Sequence, residues 1–425
     1  MGIHARSGAA SAAAGALAIA LACTPATATA AKGDCETIVI GSALSLSGKH
    51  GESGVHTKNG YEYAIRRIDE AGGVTVAGRC HRIEILYYDD ESRGRRAATL
   101  TERLIDQDGV QYMLGPYSSG ITRAVVPVTE QRRVPMIEAQ GASLSLFSKG
   151  HSYLFAVLST SEQYLASAIA LAAEQAEKQG RKASDVRVAV AVENDPFSLD
   201  VRAGVLDDAE RYGMTVVLDE TLPRDMRNMT PILTRTRQLS PDILVLSGHA
   251  EGAQTAVRQI AEQGVDVPMI ALTHCEVADV TEAAGAEADG LLCATQWAET
   301  LRYEDPVFGT AAEFEAGFRE AFVEYSDRPM PYQVAQAAAA VYVFKDAFER
   351  AGTLDREAVR DAIAETDLAT FYGPIRFSDT GRNIAKPMVL RQIQDGTYNV
   401  VAPSAYASHT LDWPRGGTEE ARVGD

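Results

Sequence analysis

Short apolar runs that end in small polar turns recur along this chain, and longer stretches between them carry apolar residues at helical spacing. Thr37-Ile38-Val39-Ile40-Gly41 reads as a first buried strand and runs into a Gly/Ser loop over 43–54. The next stretch sets Tyr61, Ala64, Ile65 and Ile68 on one helical face and stops at Ala71-Gly72-Gly73, a C-cap signal. A strand over 83–90, an Arg/Ala-rich helix over 93–106 and a strand over 110–114 follow. Ala124, Val125, Val128 and Thr129 then share a helix face, and Val134-Pro135-Met136-Ile137 reads as the next strand. This β-α-β-α-β-α-β alternation predicts a parallel sheet with helices on both faces.

A second copy of the pattern begins after Tyr153-Leu154-Phe155. It comprises a helix over 161–180, strands over 186–192, 215–218, 242–246, 268–272 and 290–297, and helices between them. The rest reads as helices over 306–325, 331–351 and 355–365. A hairpin then pairs 373–377 with 387–393 across Ser378-Asp379-Thr380-Gly381, and a loose, polar tail starts at Pro403. The expected fold class is α/β: two doubly wound lobes with parallel sheets and a cleft between them, where ligands prefer to sit.

The stretch with the clearest chemistry is Gly115-Pro116-Tyr117-Ser118-Ser119-Gly120-Ile121-Thr122, a strand-to-helix turn rich in hydroxyls. Unpaired N–H groups at such a helix start suit a carboxylate or phosphate. The following strand ends the same way, in Glu138-Ala139-Gln140-Gly141-Ala142-Ser143. Serine also supplies ordinary N-caps, so each turn alone has a plain structural reading. Two in succession at neighbouring strand ends point to a ligand.

The 425 residues suffice for two to three domains, and 46% hydrophobic with 23% charged residues is ordinary for a globular protein. A net charge of −18 argues against nucleic acid and anionic membrane surfaces as partners. Residues 1–31 read as a cleavable export signal: a weakly basic start, an Ala/Leu/Ile run, and small residues for cleavage near 28–31. Lipoprotein processing at Cys23 is the second reading. Export leaves Cys35, Cys80, Cys275 and Cys293 in an oxidising compartment. Of the three possible pairings, the expected neighbouring of their strands favours Cys35–Cys80 and Cys275–Cys293. No CxxC or HxxxH spacing suggests a metal, and His50 and His56 lack the HExxH acid. No GxSxG surrounds Ser47, Ser118 or Ser119, and no GxGxxG or GxxxxGK[ST] occurs, so neither catalysis nor a nucleotide or other cofactor is expected.

The order and spacing of several marks resemble the type I periplasmic solute-binding proteins of ABC importers, in the branched-chain amino acid and amide (leucine-binding-protein-like) group. These marks are Ile40-Gly41 with Leu46-Ser47-Gly48, Ala71-Gly72-Gly73 with Tyr88-Asp89-Asp90, Gly115-Pro116-Tyr117-Ser118-Ser119, and the late run 371–377. The resemblance covers nearly all of the chain after the leader. It implies a non-enzymatic, monomeric, periplasmic protein with a three-strand hinge crossing at about 157, 300 and 368. Lobe 1 would comprise 36–157 and 301–367, lobe 2 158–300 and 368–402, with 403–425 as a tail. The cargo would be an amino acid, amide or carboxylic acid delivered to a membrane permease. A ligand-sensing receptor domain of the same fold is the alternative, and a secreted α/β hydrolase a more distant one.

Residue by residue, the resemblance sets the carboxylate-binding serine on Ser119 and the second-turn contacts on Gly141, Ala142 and Ser143. Tyr117 lies in the first turn, and Ser53 takes the position that packs on the ligand from the first loop. Phe197 and His249 fall on wall positions of the second lobe. The acid expected to hold a ligand ammonium is displaced within Thr273-His274-Cys275-Glu276, which leaves His274 and Glu276 as candidates and departs from the leucine-binding pattern. Gln296 and Trp297 are candidates to roof the pocket.

Overall fold

The computed structural model describes residues 1–2, 35–224 and 226–415; the expected leader, its cleavage region and Cys23 lie outside them. Strands β1 (Glu36–Leu44), β2 (Val74–Val76), β3 (Arg79–Asp89), β4 (Met113–Leu114), β5 (Met136–Glu138) and β6 (Leu154–Ala156) build a first sheet in the order β2-β3-β1-β4-β5-β6. It is parallel except for the short β2, which turns back on β3. Helices α1 (Gly51–Glu70), α2 (Gly94–Asp106) and α3 (Ser119–Arg132) connect its strands.

After α4 (Ala166–Lys178), the chain forms β7 (Arg187–Glu193), α5 (Pro196–Arg211), β8 (Thr215–Leu222), α6 (Thr230–Leu239), β9 (Ile243–Ser247), α7 (Ala250–Glu262), β10 (Met269–Leu272), α8 (Val280–Ala284) and β11 (Leu292–Thr295). A two-strand turn, β12 (Glu304–Asp305) and β13 (Gly309–Thr310), leads into α9 (Ala311–Ala321), α10 (Tyr332–Ala351) and α11 (Arg356–Ala364). The chain ends with β14 (Asp367–Thr370), β15 (Gly373–Arg376), β16 (Val389–Gln394) and β17 (Thr397–Ala402). The second sheet runs β17-β16-β11-β10-β9-β7-β8, parallel from β11 to β8 and antiparallel at β16 and β17. Its central strands are apolar throughout because both faces are covered, as Ile243-Leu244-Val245-Leu246 shows. Residues 35–415 pack as one compact body.

The α/β class with mainly parallel sheets is therefore as expected, and both expected disulfides are present, Cys35–Cys80 and Cys275–Cys293. The expected late hairpin is not formed: β15 pairs with β14, and β16 lies between β11 and β17. The partner strand Thr397–Ala402 lay beyond the pattern that was read as a hairpin. The tail is also ordered as far as Arg415: Asp412 donates its N–H to Gln392 (2.8 Å), whose amide donates back to the Asp412 carbonyl (2.9 Å). Among the described residues no helix is long and apolar enough to cross a membrane.

One buried side chain joins the segments that follow β6, β11 and β14. Gln296 accepts from the Ser159 N–H (3.1 Å) and from the Tyr372 hydroxyl (3.2 Å), and donates to the Ser159 carbonyl (2.9 Å) and to Tyr164 (2.9 Å). Trp297 is core, stacked edge-on against Phe314 and donating its indole N–H to the Phe371 carbonyl at 3.0 Å.

Candidate functional site

The β4–α3 turn and the β5 turn lie side by side, as parallel pairing of β4 with β5 requires. The Ser143 N–H donates to Ser119 Oγ at 3.0 Å, so the two serines of the expected anion site are in direct contact. Within α3 the first acceptor is the Ser118 carbonyl, which receives Ile121 and Thr122; the N–H groups of Ser119 and Gly120 precede it and have no acceptor inside the helix.

Glu138 underlies both turns, a residue that the sequence did not single out as functional. Its carboxyl accepts from the Gln140 N–H (2.7 Å) and lies 2.8 Å from Thr122 Oγ1. Thr122 Oγ1 also lies 2.9 Å from the Ser118 carbonyl, and it has one proton to give. Burial pushes the Glu138 pKa up to about 7, against the hydrogen bonds it accepts. This carboxyl explains two glycines of the motif. A Cβ on Gly115 would meet Glu138 Oε2 at 2.2 Å, and one on Gly141 would meet Thr122 Oγ1 at 2.6 Å.

Opposite these turns is a wall of rings from the second sheet. Phe197, in the first turn of α5, lies 5.0 Å from Tyr164, 5.1 Å from His274 and 5.8 Å from His249, centroid to centroid. His249 is 5.2 Å from His274 and 4.9 Å from His50, and His50 is 5.3 Å from Tyr117. The expected residues Tyr117, Phe197, His249 and His274 are thus brought together. His50, Tyr164 and Asp195 join them without having been expected; for Asp195, its place before Pro196 as the cap of α5 is the local signal that could have marked it. Asp195 accepts from the Phe197 (2.9 Å) and Ser198 (3.3 Å) N–H groups, and its Oδ1 lies 3.4 Å from His249 Nε2. Burial alone would raise its pKa, but His249 and these hydrogen bonds hold it below the ordinary carboxylate range. Burial pushes His274 down to about 3, with His249 adding to the effect.

The two sides touch. Ser143 Oγ hydrogen-bonds Asp200 of α5 and lies 3.3 Å from the Pro196 carbonyl, and the Ser145 N–H donates to the same Asp200 oxygen at 3.1 Å. The Ser143 hydroxyl is therefore engaged by the protein itself, while the Ser119 hydroxyl keeps its proton free to donate. Ala142 is buried and its carbonyl accepts from the Ser161 N–H at 2.8 Å. Ser53 and Glu276 lie on a cavity of about 360 Å³ whose lining includes Lys49, His56, Asp279 and Arg328. Glu276 is buried and paired with Arg391 at 3.3 Å, and burial raises its pKa against that partner.

Two mainly parallel sheets with hydroxyl-rich turns at their strand ends define the class, an α/β protein of the doubly wound kind. Residues 37–397 match the family model described as Periplasmic binding protein, and the chain belongs to that family. It is similar to the leucine-, isoleucine-, valine-, threonine- and alanine-binding protein of Pseudomonas aeruginosa, 22% identical over 346 residues that span 81% of this chain and 87% of that one. Among solved structures it is similar to the branched-chain amino acid transporter substrate binding protein of Streptococcus pneumoniae in complex with isoleucine (23% identity, TM-score 0.72, 87% of this chain and 100% of that one). It is likewise similar to an ABC-transporter solute binding protein of R. palustris in complex with benzoate (20% identity, TM-score 0.71, 90% and 99%).

Proposed function

We propose that this protein is an exported, monomeric solute-binding protein that captures a small carboxylic acid, amide or amino-acid-like ligand and hands it to an ABC permease. The observation that carries this reading is the contact of the Ser119 and Ser143 turns beneath the ring wall of Phe197, His249 and His274. The ligand's anionic end is held by the α3 N-terminus and the Ser119 hydroxyl, which need no formal charge. Its body lies against the rings, which favours a planar or apolar group. The pairing of Glu276 with Arg391 disfavours an ordinary branched-chain amino acid, which needs an acid for its ammonium. Leucine-type relatives and a benzoate-bound neighbour bracket this ligand range by analogy. The crossovers near 157, 300 and 368 act as the hinge between two lobes, and a ligand bridging both stabilises the closed state.

A thermal-shift screen of amino acids, amides, aliphatic acids and aromatic acids identifies the ligand class, since a ligand that binds only the folded state raises Tm. Calorimetry then compares Ser119→Ala and Ser119→Asp. Loss of one hydrogen bond to a charged group is worth about 1.5–3 kcal/mol, a roughly ten- to hundred-fold weakening for Ser119→Ala. Ser119→Asp sets a second carboxylate beside the ligand's own and weakens binding further. An aspartate variant that binds as tightly as the parent overturns the assignment of this turn.

A further inference from the structure

The ring wall contains a group of acidic and imidazole side chains that the proposed solute site uses only in part, through the rings of His249 and His274. Glu193 at the end of β7, Asp195 two residues on, and His249 at the N-cap of α7 each offer a ligand atom, and these atoms lie within 4.8 Å of one another. Around a tetrahedral ion with bonds of about 2.0–2.1 Å, neighbouring donors stand about 3.3 Å apart. Asp195 Oδ1 and His249 Nε2 already stand 3.4 Å apart. The second observation is a set of buried polar atoms with no hydrogen-bond partner among the described residues: Asp195 Oδ2, His249 Nδ1 and His274 Nδ1. The side chains of Asp195 and His249 are only 8% and 6% exposed, so water does not compensate them from outside. His50 and His274 flank His249 on either side. No sequence spacing connects these residues; the ends of β7, β9 and β10 bring them together.

We propose that Asp195 and His249, with Glu193 completing the set and His50 or His274 as a further ligand, bind a divalent transition-metal ion at the ring wall of the cleft. Imidazole and carboxylate together suit Zn2+, Ni2+ or Co2+ and do not suit Mg2+ or Ca2+, which take oxygen ligands. The cation at hand in the structure is Lys49, whose Nζ lies 3.6 Å from Glu193 Oε2. Lys49 is 28% exposed, so its ammonium can swing outward on a flexible stem when a dication takes its place. The cavity beside it carries Glu52, Glu251, Glu276, Asp279 and Glu282 against Lys49 and Arg328, an acidic entry that draws cations.

The test uses untagged, exported protein stripped with a chelator. Titration with Zn2+ alone is followed by calorimetry, and Co2+ reports coordination through its ligand-field absorption. One saturable equivalent of each is expected, with no response to Mg2+ or Ca2+. His249→Ala and Asp195→Asn each weaken binding by roughly a hundred-fold or more; asparagine retains the α5 cap, so Asp195→Asn stays folded. Lys49→Ala strengthens binding, because the ammonium no longer competes for Glu193. Absence of a saturable equivalent in the parent, or parent-like affinity in both His249→Ala and Asp195→Asn, overturns the proposal. Ser119→Asp, which tests the organic ligand site, leaves the metal titration unchanged, so failure of either site is recognisable by itself.

Discussion

Replacing Gln296 with leucine keeps a side chain of similar size and removes the amide that joins Ser159, Tyr164 and Tyr372. Four hydrogen bonds disappear, but their loss is unequal. The Tyr372 hydroxyl has Gln336 Oε1 at 3.4 Å as a second acceptor, and the Tyr164 hydroxyl has Tyr332 beside it. The Ser159 N–H and carbonyl are bonded to Gln296 and are buried. Leaving a buried backbone group unpaired costs about 1–3 kcal/mol, so the two together cost about 2–6 kcal/mol, from which added apolar contact by leucine returns a part. The expected loss is about 2–4 kcal/mol in urea unfolding, with an unchanged m value. Against a typical total of about 5–15 kcal/mol this is a large fraction. A loss below about 1 kcal/mol would show that the Ser159 backbone finds other partners and that Gln296 is no organising contact.

Two further outcomes follow from the disulfides and from Glu138. Cys275→Ser with Cys293→Ser opens a closed loop with a sequence separation of 18, and Cys35→Ser with Cys80→Ser one of 45; loop entropy alone gives losses of about 3 and about 4 kcal/mol, read as lower midpoints in denaturant. The Glu138 carboxyl has a folded pKa raised from 4.5 to about 7, so the native state holds an extra proton between these values. Its contribution to stability is therefore greatest below pH 4.5 and falls as pH rises to about 7, by about 3 kcal/mol in all. Glu138→Gln should remove this slope and be more stable than the parent at pH 8; a parent-like slope between pH 5 and 8 in the variant would assign it to other groups.

What the sequence disclosed and what it hid follow the range of the interactions. The turn from Met113–Leu114 into Ser119 is local: an apolar run, small residues and a helix face within twenty positions, so its place at a strand end was readable. Cys35–Cys80 was readable because it joins adjacent strands of one βαβ unit. The late hairpin was not, since β16 takes its partner from β11, about a hundred residues earlier, and apolar alternation in 387–393 contains no address for that strand. Glu138 looked like one more acid in a chain with many; only packing shows that its carboxyl fills the space that Gly115 and Gly141 leave open. The imidazoles of His50, His249 and His274 come from three separated turns, and no spacing rule joins them.

His274 has a backbone φ of 63°, a conformation that residues with a Cβ seldom adopt, and its neighbour Cys275 is tied to Cys293 in β11. The covalent tie is thus one residue from a ring of the proposed binding wall. Protein produced inside a reducing cell would lack both disulfides and start from a stability lowered by the losses given above. Its ring wall would also lack the clamp, and affinities measured on such material would describe a less constrained wall than the disulfide-bonded one. Expression route is therefore a variable of the binding experiment itself, to be recorded beside temperature and buffer.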